Sequence, residues 1–364
     1  MKKQVRWNLL LSGIASLILI FLLVGYVPQG ELVRTFKSFS TESLFFYALC
    51  SLLAVMIRAW RYRALLSSMD TGEVRIPFYG MVLVTGIRNA FVDFLPARLG
   101  EIAYFLALKR LGINLLTAGS SWALCIALDL VVLAGITFVL FSFFLSGRFS
   151  DDNVALHTAI SEMFFGGESQ REMVLFCVIV AVIALFVVFL RFASPIIRSV
   201  VAFIRREFPT DPSRKIGRAV NLAVDAGDHV ARDIDGVKRS GRLTQIVLLT
   251  VALRVLKYGA LYVLLLGLLR GLDLKVDFIH PFIAFTAFLF AESSASLPAS
   301  GLMGFGTYEA IWTLVFSLSH VEIESSQVLA IGFSIHVVTQ IVGYTIGLLS
   351  VALLASYSRE KPQG

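Results

Sequence analysis

Between Arg88 and Glu101 the sequence reads RNAFVDFLPARLGE. Two arginines, an aspartate and a glutamate share this short stretch, with Asn89 beside the first arginine and Pro96 near its middle. Guanidinium groups present N–H donors in a planar fork that matches phosphate oxygens two at a time. Carboxylates nearby can hold those guanidiniums or take up protons. The chemistry on offer is therefore binding of an anion. Common signatures of nucleotide binding and of zinc-dependent hydrolysis are missing: the chain has no GxGxxG, no P-loop and no HExxH. Cys50, Cys125 and Cys177 stand apart in apolar runs, and the five histidines are scattered without metal-ligand spacing. No catalytic residue, metal or cofactor is expected, and the chain is read as a non-enzyme.

The surroundings make these charges expensive. The 364-residue chain is 57% hydrophobic and 16% charged, with 30 Phe, whereas soluble domains average about 45–50% apolar and about 25% charged. Several apolar runs exceed the roughly 20 residues that cross a bilayer as a helix. They are continuous rather than alternating, which excludes a β-barrel. The expected fold is an all-α polytopic membrane protein in a single transmembrane domain over 1–364.

The apolar runs give the order of elements. Leu9–Tyr26 follows Lys2, Lys3 and Arg6 and reads as a retained first span. It is longer than the ~7–15-residue apolar region of a signal peptide and lacks a clear cleavage site. Ser43–Leu66 returns inward. Phe78–Leu95 leads into the charged stretch, and helix signal resumes at Leu99–Leu111. Leu115–Leu145 follows, then an acidic loop over 146–172 with two Arg against five Asp/Glu. Met173–Leu190 precedes a basic segment over 191–242, with eleven Lys/Arg against six Asp/Glu. Such a bias places 191–242 in the cytoplasm and 146–172 outside. Within the basic segment, Ile216, Val220, Ala223, Val230, Ile234 and Val237 recur at near-helical spacing, as in a helix lying on the inner membrane surface; the alternative is a soluble hairpin that packs on nothing in particular. Lysines and arginines beside spans are explained by topology and by anionic lipid headgroups, so a nucleic-acid partner is not expected. Leu243–Leu269, Phe278–Leu297, Ile311–Leu318 and a run from Ser326 to Ser356 complete the chain.

Two segments recur. IRAWRYRALL (Ile57–Leu66) matches LRVLKYGALY (Leu253–Tyr262), pairing Arg58 with Arg254, Arg61 with Lys257 and Tyr62 with Tyr258. LPARLGE (Leu95–Glu101) matches LPASGLMGFGTYE (Leu297–Glu309) at a similar offset. These define repeat A, 43–145, and repeat B, 243–356. If each Leu-Pro-Ala segment tips a re-entrant hairpin, both charge-biased loops fall on their required sides. The repeats then run in opposite senses and both termini are cytoplasmic. About six full spans plus two re-entrant or broken hairpins result, an inverted-repeat plan used by transporters. Pro96, Gly100, Pro298, Gly304 and Gly306 are the expected hairpin-tip residues. Proline breaks the helix because it lacks an N–H and clashes with the preceding turn.

NAFVDFLPARLGEIAYFLALKR, with the later LPASGLMGFGTYEA, resembles the membrane region of bacterial lysylphosphatidylglycerol synthases and the standalone flippase-like proteins related to it. Asn89, Leu95, Pro96, Arg98, Gly100, Glu101 and Lys109/Arg110 carry the first pattern; Leu297, Pro298, Gly304, Gly306 and Glu309 carry the second. The resemblance implies movement of an amphiphilic lipid between leaflets of the plasma membrane. In the synthases a separate soluble domain follows the membrane region and performs aminoacyl transfer. The sequence reaches Gly364 straight after its last apolar run, so that activity is not expected. The substrate is expected to be an anionic or phosphate-bearing lipid, with a separate lipid-modifying enzyme as a possible partner. The rival readings are an accessory subunit for such an enzyme and an integral membrane transferase.

The substrate-binding set expected from these arguments is Arg58, Arg61, Arg88, Asn89, Arg98, Glu101, Arg254, Lys257, Glu292 and Glu309. Each has a plainer reading. Arg58 and Arg61 can snorkel to cytoplasmic headgroups. Arg98 and Glu101 can simply pair, since residues three apart share a helix face. Arg88 and Asp93 can form an interior ion pair. Glu292 and Glu309 need partners, with Arg254 or Arg98 as candidates, or they can protonate. Asp129 and His336 stand alone on long apolar runs and fit helix–helix hydrogen bonds. The GxxxG of Gly343–Gly347 brings two helices close, within the chain or in a homo-oligomer.

Overall fold

A computed structural model describes residues 25, 29–69, 76–95, 100–145, 191–208, 215–274, 279–294, 302–319 and 323–359. The expected first span apart from Gly25, the acidic loop 146–172, the run Met173–Leu190, and Pro96, Arg98 and Pro298 lie outside the described residues. The described residues are helical throughout, with no strand among them. Helix α1 covers Gln29–Lys37, α2 Thr41–Leu66, α3 Phe78–Phe94, α4 Glu101–Arg110 and α5 Leu115–Leu145. Residues 191–207 are helical. Then come α6 Lys215–Arg239, α7 Leu243–Gly271, α8 Pro281–Ser294, a 3₁₀ turn Leu302–Gly304, α9 Thr307–Leu318 and α10 Ser325–Arg359.

Four of these, α2, α5, α7 and α10, are long and apolar enough to cross a membrane. The remaining apolar helices form two hairpins, α3–α4 and α8–α9. Their arms hold 17, 10, 14 and 12 residues. At ~1.5 Å rise per residue the longest reaches ~25 Å, short of the ~30 Å hydrocarbon thickness. α4 is shorter than its apolar run Leu99–Leu111, and α9 is longer than Ile311–Leu318.

Local sequence explains where the arms break. Leu95 is extended (φ −96°, ψ 133°), as steric clash with the ring of the following Pro96 favours. A Cβ on Gly100 would lie 2.0 Å from the backbone carbonyl of Phe91, so only glycine lets the second arm start against the first. In the second hairpin, Met303, Gly304 and Gly306 all have positive φ. The amide of Gly306 donates to Glu309 Oε2 at 2.6 Å. That cap starts α9 at Thr307, four residues before the apolar run beginning at Ile311.

The helices pack in two layers of contact. α2 lies along α7, α3 along α10, and each hairpin folds on itself. One apolar core gathers Tyr62, Leu65, Met81, Tyr104, Leu108, Ala118, Val237 and Ile246 around the first hairpin. The other gathers Leu264, Leu268, Phe285, Phe288, Trp312, Val328 and Ile331 around the second. Large apolar side chains left exposed on α2 (Phe45, Leu49, Leu52, Leu53, Met56, Trp60) follow helical spacing, as a lipid-facing stripe does.

The GxxxG motif acts within the chain. A Cβ on Gly347 would lie 2.2 Å from Ala90 Cβ, and one on Gly86 2.1 Å from Ser350 Oγ, so small residues seat α3 directly on α10. Gly347→Val is expected to lower stability by about 1–3 kcal/mol through overpacking. Gly119→Ala, where the added Cβ meets nothing within 4 Å, is expected to change little. Thermal midpoints of the purified variants read both.

The basic segment forms a helical pair. Helix 191–207 packs on α6 through Val201 against Gly227, with Arg198–Asp235 and Arg205–Asp228 ion pairs. Val224, Ala231, Ile234 and Val237 of α6 are buried within the protein.

Candidate functional site

A cavity of about 330 Å³ lies between α2, α3, α5, α7, α8 and α10, with Met303 of the 3₁₀ turn on its wall. Arg58, Arg88, Arg254 and Lys257 line it, facing Asp93, Asp129 and Glu292. Asn89, Tyr258, Tyr308, His336 and Gln340 complete its polar wall. Seven charged side chains at this depth are costly, since one cation at a bilayer centre costs about 2.5–3.5 kcal/mol on insertion scales. Most are therefore paired, and the pairings distinguish them.

Arg88 is locked. Its Nε donates to Glu101 Oε2 at 2.7 Å, and its Nη2 donates to Glu101 Oε1. Glu101 is buried behind it, outside the cavity wall. Arg88 therefore takes Glu101 in place of Asp93. Arg88 and Asp93 are five residues apart on α3, which turns them ~140° from each other at 3.6 residues per turn. Glu101 opens α4, which folds back beside α3 and meets Arg88. Arg98 lies outside the described residues.

Arg61 and Arg254 share one carboxylate. Arg61 Nη1 lies 2.5 Å from Asp129 Oδ1, and Arg254 Nη2 lies 2.8 Å from Asp129 Oδ2. Arg61 is 1% exposed and also donates to Thr250 Oγ1 at 3.3 Å. Its guanidinium is held inside the protein by Asp129 and Thr250, and it does not line the cavity. Asp129, which looks solitary on its apolar helix, is the centre of this cluster.

Lys257 Nζ lies 2.8 Å from Glu292 Oε2, which also accepts from the Tyr258 hydroxyl at 3.2 Å. Glu292 thus meets Lys257 rather than Arg254. Glu309 is 1% exposed and off the wall; its Oε1 lies 2.7 Å from His336 Nδ1. Gln340 Nε2 is 3.1 Å from His336 Nε2, and the Tyr308 ring stacks on the imidazole at 4.1 Å. With Nδ1–H donated to the carboxylate, Nε2 accepts from the Gln340 amide. Glu309 therefore fixes His336 and the start of α9 together.

Arg58 is different. It donates to the side-chain oxygen of Asn89, and no carboxylate pairs with it among the described residues. Arg58 and Arg254 occupy matched places in the two repeated segments, and both face the cavity. Their neighbours Arg61 and Lys257 each take an acid from another helix. Tyr62 packs on Tyr104 of the first hairpin, and Tyr258 on Phe285 of the second. The repeat in sequence is a repeat in contacts.

Of the expected binding set, the structure brings Arg58, Arg88, Asn89, Arg254, Lys257 and Glu292 onto one wall and sets Arg61, Glu101 and Glu309 behind it. Sequence reasoning gave Asp129 and His336 no such place and missed Tyr308 and Gln340. The signal for Asp129 was present: an acid inside a long apolar helix, while two cations stood unmatched on the others. No group of three or more His, Cys, Asp or Glu among the described residues is arranged to hold a metal ion.

The family model described as the lysylphosphatidylglycerol synthase TM region matches residues 9–347 of the chain. No curated protein matches it.

Proposed function

The chain belongs to the lysylphosphatidylglycerol synthase TM-region family, and on that footing we propose that it moves a phosphate-bearing lipid between membrane leaflets. The observation that carries this reading is a wall with four cations against three carboxylates, on which Arg58 has no carboxylate pair among the described residues. A cavity of about 330 Å³ sits at the small end of the ~300–1,000 Å³ range of ligand sites. It suits a headgroup, with the acyl chains remaining in the bilayer. Phosphate oxygens would engage Arg58 and Arg254, and Lys257 and Asn89 would border them.

In the same reading, the short hairpins are re-entrant, enter from opposite faces and form an inverted repeat with six full spans. Irregular backbone at mid-membrane is tolerated where it faces protein or a wet cavity. The chain sits in the plasma membrane with both termini cytoplasmic, and acts as a translocase rather than an enzyme. The second reading, an accessory subunit that docks a separate lipid-modifying enzyme, is favoured by one feature. The basic helical pair 191–207 and α6 leaves Phe192, Ile196, Val200 and Phe203 exposed.

Reconstitution tests the choice. Vesicles carrying the purified protein and fluorescent phosphatidylglycerol are treated with an impermeant bleaching reagent. The translocase reading expects inner-leaflet label to be lost much faster than in empty vesicles. Protected label that persists for every phosphate-bearing headgroup tried, polyprenyl phosphates included, would shift the weight to the accessory reading.

A further inference from the structure

We infer that Asp129 is a competing counter-ion, which the headgroup phosphate must displace from Arg254 and which afterwards drives its release. The inference rests on the proposed reading that the cavity receives a phosphate-bearing headgroup. It concerns how that site lets go, a problem that any carrier with a strongly cationic site must solve.

The four cations on the wall are held in four different ways. Arg88 gives two donors to Glu101, and both residues are nearly buried. Lys257 is tied to Glu292. Among the described residues Arg58 has an amide oxygen and no carboxylate. Arg254 alone shares its carboxylate with a second arginine. That sharing makes the Arg254–Asp129 contact easy to exchange. Breaking a buried pair is costly chiefly because it strands an unpaired charge. When Arg254 leaves Asp129, the carboxylate still holds Arg61, which is 1% exposed and fixed by Thr250. Nothing is stranded, because the departing guanidinium goes to the phosphate.

The geometry fits an exchange of partners. Asp129 and Arg254 both line the cavity, with side chains 16% and 12% exposed, whereas Arg61 does not line it. An oxyanion between Arg58 and Arg254 finds one guanidinium without a carboxylate and one it must share. When the phosphate departs, Asp129 recaptures Arg254 and lowers the barrier to exit. Asp129 is a positioning residue in this scheme, since it acts through Arg254 and touches no lipid.

The scheme predicts changes of opposite sign, which a merely structural role would not produce. Asp129→Asn removes the competitor. So does Arg61→Gln/Asp129→Asn, which keeps the cluster at its formal +1, because a cation and an anion leave together. Both variants are expected to bind glycerol 3-phosphate at least about tenfold more tightly, an effect of about 1.4 kcal/mol, and to move lipid more slowly. Arg61→Gln alone leaves Asp129 wholly to Arg254 and is expected to weaken binding.

Calorimetry on detergent-purified protein, with thermal midpoints as a folding check, reads the affinities, and the vesicle assay reads the rates. Folded double variant with equal or weaker binding, while wild type still moves lipid, overturns the counter-ion role and leaves the translocase reading standing. Absence of binding together with absence of lipid movement in wild type overturns both.

Discussion

Glu101→Ala is expected to cost about 3–5 kcal/mol, the scale of breaking one side of a buried ion pair. Glu101 accepts from two nitrogens of Arg88, and the side chains are 6% and 11% exposed. Removing the carboxylate leaves a buried guanidinium with a long contact to Asn89, at 3.4 Å, and the Tyr62 ring 5.8 Å away, neither of them a counter-charge. The pair also ties α4 to α3 across the Pro96 break, so the first hairpin loses its clasp. The same reasoning gives a rescue. Arg88→Met with Glu101→Leu removes both charges and fills similar volume, and replacing a buried pair by apolar residues is often neutral or stabilising. Thermal midpoints in detergent should therefore fall steeply for the single variant and recover in the double. A single variant as stable as wild type would show that the pair does not hold the hairpin.

Arg58→Met is expected to separate stability from activity. Arg58 lacks a carboxylate partner among the described residues, so its removal relieves an uncompensated cation. The thermal midpoint should hold or rise. Lipid movement should fall by roughly 10- to 150-fold, equivalent to losing a charged hydrogen bond of about 1.5–3 kcal/mol. Stabilisation with loss of function marks a strained functional site. If Arg58→Met instead lowers the midpoint while transport per folded molecule is kept, Arg58 is a structural cation and the phosphate lies elsewhere. The bulk of Met keeps the wall filled, so the comparison reads charge rather than packing.

Four long apolar helices and the ends of the shorter ones were legible because apolar run length and proline and glycine positions act locally. Leu95 stops α3 because Pro96 follows it, and Gly100 restarts the chain because no other residue fits against Phe91. The matched arginines Arg58 and Arg254 could be found because the segment repeats. The partners could not be read in the same way. Glu101 lies three residues from Arg98 in sequence, yet its oxygens meet Arg88, which only the fold of the hairpin brings round. Asp129 meets Arg61 and Arg254 across 68 and 125 residues, and no local pattern encodes that distance. Glu309 reads as a candidate ligand in a glycine-rich turn. Its capping of α9 is local, through the Gly306 amide three residues before it, whereas its partnership with His336 depends on α10 passing beside it. In a membrane interior an unpaired charge is costly, so the existence of partners for most of these charges was predictable and their identity was not.

The most direct measurement of the central claim is where the lipid phosphate sits. A photo-crosslinking amino acid at Val92, on the cavity wall, is compared with one at Leu348, 70% exposed on the outer face of α10. Both are irradiated in vesicles containing phosphate-radiolabelled phosphatidylglycerol and increasing amounts of unlabelled lipid. The account predicts a saturable adduct at Val92 that Arg58→Met strongly reduces, and a non-saturable one at Leu348 that it leaves unchanged. Adducts at Leu348 alone, with none at Val92, would contradict a headgroup path through the charged cavity.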